Sequence, residues 1–383
     1  VWSMDDGVLN LNTAGTITPG TGFAVDNLLV SAPAVFPDDE PWSIGENLVL
    51  AASLDPGNDG TVAANPQLSI GDNATIERQN TGATLDDDAI WGQSINLAYT
   101  TAGTIAMSDE ASAASINNVN VEVAVDMDRD FGPISGTLTL EALLDDSPAA
   151  PVYDVIMASG ATVVLVDADG TTLLNGPLDP AGTLNVTYQN STAGALAATD
   201  NELDKDFTLG TVTVDGAAAA DVIQLHDNLT VTNLVINDDG DLDLMNLNMG
   251  VTGNITLSST GEVVSTGGPS NLNLTGATDG TLTLGADWTV PTNVIIDLNK
   301  TNENDEVMLV GGNELDFANN DLVLTKGLFN TDATSKIILT QGNTGGGGQP
   351  TQGFTRTDGV IRGNVEKFID RTQTVDISNV IFP

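Results

Sequence analysis

Three short acidic runs hold the residues best suited to chemistry. Asp126-x-Asp128-x-Asp130 spaces its oxygens like a calcium loop, with Phe131 where a helix-loop-helix site wants glycine. Asp167-x-Asp169-Gly170 and Asp238-Asp239-Gly240-Asp241 are turns of the same kind. Each reads either as a calcium site or as a solvated turn, because aspartate serves both purposes. Calcium is the one cofactor the chain suggests. With a single histidine, His226, and no cysteine, neither a zinc site nor a cysteine nucleophile can be built. His226 lacks a neighbouring nucleophile in sequence and reads as a turn residue. A glycosidase needs two carboxylates roughly 5–9 Å apart, a condition that any two aspartates on adjacent strands could meet. The first 125 residues carry one base, Arg78, so no basic cleft for an acidic polysaccharide is in view. The chain reads as non-catalytic.

Charge narrows the partners. The 53 acidic residues against 10 basic ones give a formal net charge of -43. Nucleic acid is excluded as a partner, since binding it relies on cations that neutralise phosphate. An anionic membrane surface is disfavoured for the same reason, and no run reaches the roughly eighteen apolar residues of a spanning helix. Of the acids, 41 are Asp and 12 are Glu, a bias toward the residue that favours turns.

The elements that must position these residues are short strands. Apolar pairs with one residue between them fall at Leu229/Val231, Leu242/Leu244, Ile255/Leu257, Leu272/Leu274, Leu282/Leu284, Val294/Ile296, Val307/Leu309, Leu322/Leu324 and Ile337/Leu339. Such alternation means a strand with one buried face. Its steady recurrence, punctuated by Asn, Asp and Gly, means strands wound into a coil. The expected fold is therefore all-β: an elongated β-solenoid, or parallel β-helix, with irregular enlarged loops in the middle third. The 40% of hydrophobic residues suffices for a core, and the 4% of aromatics suits a narrow one. Three regions are expected: N-terminal coils over 1–83, an irregular solenoid stretch or β insertion over 84–200, and regular coils over 201–383.

Asn201-Glu202-Leu203, Phe207-Thr208-Leu209-Gly210-Thr211-Val212-Thr213-Val214 and Leu229-Thr230-Val231-Thr232-Asn233-Leu234 follow a coil pattern of Leu-Thr-Val, asparagine, Leu-x-Leu and a glycine turn. That pattern resembles the exported β-solenoid surface proteins of Bacteroidota-like bacteria. The closing run from Val360-Ile361-Arg362-Gly363 to Lys367-Phe368-Ile369 is similar to their Gly-x-Val-x-Arg-Phe segment, with Lys367 where arginine is usual. The resemblance implies an exported, surface-exposed, non-catalytic protein of a group that commonly carries a C-terminal sorting domain.

A solenoid leaves unpaired backbone groups at its first and last coils. The expected function is end-to-end self-assembly into a filament or surface layer, with Val1, Trp2, Val380, Ile381, Phe382 and Pro383 at the contact. Residues 1–60 hold nine acids and no base, whereas 352–383 hold four of each, so a head-to-tail contact avoids like-charge repulsion. The alternative is an adhesin or stalk that binds glycan or another cell surface. Trp2, Trp42, Trp91 and Trp288 would then stack on sugar rings, against a competing reading as core residues.

Overall fold

The computed structural model describes residues 3–18, 23–36, 42–55, 68–70, 74–78, 89–90, 94–99, 103–105, 118–121, 125–127, 131–141, 143–146, 154–166, 174–175, 178–189, 195–196, 208–216, 222–318, 322–339 and 354–367. Every regular element among them is a β-strand, and the strands pair in parallel. Parallel pairing from one coil to the next, without crossover helices, is the winding of a β-solenoid. The chain divides into two compact units, the first mainly Val1–Val166 and the second mainly Thr208–Pro383.

In the first unit, the strands Ser3–Leu11, Ala24–Val30, Trp42–Leu50, Ala74–Arg78, Ser94–Tyr99, Asn118–Val121, Thr137–Leu140 and Thr162–Val166 stack in that order. Their register shifts between Met4 and Val8 and between Val25 and Asn27, and is kept beyond those points. Leu9, Leu28, Leu48, Ile76, Leu97, Val121, Leu140 and Leu165 form one column in which each residue lies opposite the next. A slip of one residue would turn the buried Leu28, Leu48, Val121, Leu140 and Leu165 outward, so the apolar alternation fixes the register. Phe36 and Trp42 stack nearly parallel, with ring centres 4.0 Å apart and planes at 12°, and Phe23 leans on both. The less regular stretch continues the same winding. There Phe131–Ile134, Val155–Met157 and Leu178–Pro180 form a separate small sheet ahead of the column strands.

In the second unit each coil from Met249 onward contributes three strand segments, whereas before it the single strand Leu229–Asp238 spans the first two. One coil is Val294–Lys300, Glu306–Val310 and Glu314–Asp316; the next is Leu322–Lys326, Leu328–Thr331 and Lys336–Leu339; the last described is Phe354–Arg356, Val360–Arg362 and Val365–Lys367. Each segment pairs with its counterpart in the neighbouring coils. The first segments carry an apolar column, Leu209, Val231, Val251, Leu274, Leu298 and Leu324. The expected apolar pairs supply this core: all are buried except Leu229, which is half-buried. Close packing of coils also sets where glycine is required. A Cβ on Gly280 would lie 2.2 Å from the Gly253 carbonyl oxygen of the coil below.

Candidate functional site

The polar residues between strands join coil to coil. An Asn or Asp at the start of one strand accepts the leading N–H of the strand stacked on it. Asn228 Oδ1 takes the Asn248 N–H at 2.8 Å, and Asn248 Oδ1 takes that of Asn271 at 3.0 Å. Asn233 takes the N–H of Asn254 at 3.0 Å, and Asn254 that of Thr281 at 3.0 Å. Asp279 and Asp287 serve Glu306 and Glu314, each at 2.8 Å, and Asn118 serves Thr137 at 2.9 Å in the first unit. The physical reason is local. The N–H that opens a strand lies beyond the end of the backbone ladder, so a short side chain supplies its acceptor. Much of the Asx content of these turns is therefore structural.

The acidic turns fit that scheme. Asp238 is an exposed residue at φ 44, and its carbonyl accepts Ser258 Oγ at 2.7 Å and the Thr260 hydroxyl. Asp241 Oδ1 accepts the Glu262 N–H at 2.9 Å. Burial pushes the Asp241 carboxyl up, the Glu262 N–H opposes this, and the negative charges of Glu262 and Asp239 add to the rise. Asp243, 1% exposed, accepts the N–H groups of Met245 at 2.9 Å and Thr266 at 3.0 Å, and the Thr266 hydroxyl. Asp239 flanks this turn, half-buried. Asp126 lies on the strand Val125–Met127, opposite Asp145. Asp128, Asp130, Asp167 and Asp169 lie outside the described residues. Among those described, no three His, Cys, Asp or Glu side chains converge as a cation would require.

The cations are more telling than the anions. Lys300 is 2% exposed and gives its ammonium to the Thr275 carbonyl at 2.7 Å. Burial holds that ammonium below the usual lysine range, against the opposing pull of Asp305 and Asp279. Lys326 repeats the contact one coil on, with its Nζ 2.7 Å from the Thr301 carbonyl. Lys336 bridges Glu314 at 2.7 Å and Glu366 at 2.9 Å, an ion-pair ladder through three coils that raises its pKa. Reading the sequence for acids missed Lys300, although it occupies the fourth inward place of Val294-x-Ile296-x-Leu298-x-Lys300.

His226 sits exposed in a turn after the strand Val222–Leu225. Trp42 and Trp288 are buried, 3% and 5% exposed, which removes them as sugar platforms. Trp2, Trp91 and the expected contact residues Val1, Val380, Ile381, Phe382 and Pro383 lie outside the described residues. Comparison with protein-family models, curated proteins and solved structures finds no match to this chain.

Proposed function

We propose that this protein is a non-catalytic structural solenoid of the cell exterior, whose copies stack end to end into a filament or surface layer. The supporting observation is how the core is covered at the first and last described coils. Leu9 is half-buried, whereas Leu28 and Leu48, its successors in the column, are 0% exposed. Ile361 and Val365 are likewise half-buried, whereas Phe329 and Ile337, their partners one coil inward, are 0% exposed. Val8, 61% exposed, stands beside Leu9 on a strand paired along one edge only among the described residues. Apolar area left half-covered is worth about 25 cal/mol per Å² once another surface takes it from water. An edge strand offers backbone groups in register for whatever docks there. A second copy supplies both complements, because its opposite end carries the matching parallel segments. A non-closing head-to-tail contact of this kind yields fibres.

Sedimentation velocity across a concentration series tests the reading. Species growing continuously in size with concentration are expected. One monomeric boundary at every concentration and salt would remove the proposal.

A further inference from the structure

Among the described residues, the third segments of the second unit fall into two separate ladders. One ends at Glu262–Val264 and the other begins at Trp288–Thr289. These two strands belong to consecutive coils whose other segments are paired in register. Met249–Val251 lies on Leu272–Leu274, and Ile255–Leu257 on Leu282–Leu284. The interruption is local. Below it the Leu244 N–H reaches the Val264 carbonyl at 2.9 Å, and above it Val290 and Phe317 donate to Asp316 and Ile338, also at 2.9 Å. Ser265, which follows its strand as these residues follow theirs, gives its N–H to no carbonyl of the next coil. The side-chain caps stop at the same place. Asp241 and Asp287 accept the leading N–H groups of Glu262 and Glu314, whereas Glu262, in register with Asp241, caps nothing among the described residues.

Two residue choices accompany the gap. Ser265 is 7% exposed at a place where the coils around it bury Leu244, Val290 and Phe317. Its hydroxyl is spent within its own turn, on the Gly268 carbonyl at 2.6 Å and on the buried Ser270 Oγ at 2.7 Å. The Asn293 side-chain amide on the Ser265 carbonyl, at 3.2 Å, is the polar tie that remains at this corner. Trp288 occupies the inward place that Leu242, Val263, Leu315 and Ile337 fill in the other coils. It is 5% exposed, and its Nε1 is buried without a hydrogen-bond partner among the described residues. A buried indole N–H ordinarily finds an acceptor, and one left bare weakens the packing around it.

We propose that the joint between the coils 249–264 and 270–289 is a parting place built into the fold, where the second unit opens before the coils on either side separate. A stack held by nearest-neighbour contacts opens first at its weakest interface. Here two faces hold and the third does not. Opening lifts the coils from Ser270 onward as a block from those up to Val264, and bares the Trp288 indole. The device belongs to the single chain and does not depend on end-to-end stacking.

Native-state amide hydrogen exchange on the whole chain tests this. The Gly285 N–H crosses the joint to the Leu257 carbonyl at 2.8 Å. The Ser258 N–H crosses the interface below, to Ile236, and the Val290 N–H the interface above, to Asp316. Corrected for intrinsic rates, Gly285 is expected to exchange about tenfold faster than both. A disulfide then closes the joint. The chain has no cysteine, and Thr256 and Thr283 are register partners across it, at the ~4.8 Å spacing of paired strands that a disulfide can span. Oxidised T256C/T283C is expected to slow Gly285 to the rate of Ser258, and to slow the Leu272–Leu274 ladder on the other face with it. Oxidised V235C/T256C, which clamps the interface below, should leave Gly285 fast. Wild-type Gly285 exchanging as slowly as Ser258 and Val290 overturns the proposal, whether or not a clamp disturbs the fold. A clamp at Thr256 and Thr283 that slows only its own neighbours, and not Leu272–Leu274, overturns it as well, because the faces would then open separately.

Discussion

Replacing Asn254 with alanine removes one rung of the ladder that ties coil to coil. Asn254 Oδ1 accepts the Thr281 N–H at 3.0 Å and the Thr281 hydroxyl at 3.1 Å, while its own N–H is held by Asn233. The substitution deletes the two accepted bonds and leaves the third. The site is exposed, so water takes up part of the loss, and about 1 kcal/mol is the expected cost. In a solenoid each coil is stabilised by its neighbours, so the effect should stay within the adjoining coils. A global melting temperature would dilute it. Amide hydrogen exchange reports it directly: Thr281 should open about fivefold more often in N254A. N254D should restore most of the protection, because Asp279 and Asp287 already make the same contact with Glu306 and Glu314. Equal protection of Thr281 in wild type and N254A, or N254D exchanging as fast as N254A, would refute the capping argument.

Three further substitutions probe other parts of the coil. The Asp241 carboxyl is pushed above 3.8 by burial and by Glu262 and Asp239, so the stability it lends is full below pH 3.8 and is lost as pH rises through its folded value. D241N should therefore resist urea slightly better at pH 7, by a few tenths of a kcal/mol, and this advantage should vanish at pH 3; a pH-independent difference contradicts it. If calcium binds at this turn, it should raise the urea midpoint of wild type and not of D241N. The Lys300 ammonium is held below 10.5, so it weakens the fold at neutral pH and is relieved as pH climbs toward 10.5. K300M should lie within about 1 kcal/mol of wild type at pH 7, with wild type gaining on it at pH 10; urea midpoints at the two values decide. G280A forces a methyl against the Gly253 carbonyl and should cost about 1–3 kcal/mol in urea unfolding; a neutral effect would mean that the coils part easily there.

The solenoid was legible because its signal is local. Leu272/Leu274 and Leu282/Leu284 announce strands by alternation alone, and both pairs are buried. The identity of the strand that each lies against was not legible. Leu272 is opposite Ile296, but Leu282 is opposite Leu309, because corner loops of unequal length intervene. The same loops hid the role of the Asx residues. Asn254 and Thr281 are 27 residues apart, and nothing local to either reveals the bond. Aspartates such as Asp241 could be read as cation ligands, where the structure has them hold backbone N–H groups. Lys300 was visible in its own strand, whereas Arg356 was not: only the parallel register of Phe354–Arg356 on Leu322–Lys326 sets it over a leucine column.

Electron microscopy of the purified chain, imaged without added ligand, tests the central claim most directly. Stacking of the first coil on the last predicts unbranched filaments of uniform width, with the strands perpendicular to the filament axis and their ~4.8 Å spacing running unbroken across each junction. Dispersed single particles at every protein concentration, salt and calcium level would contradict it.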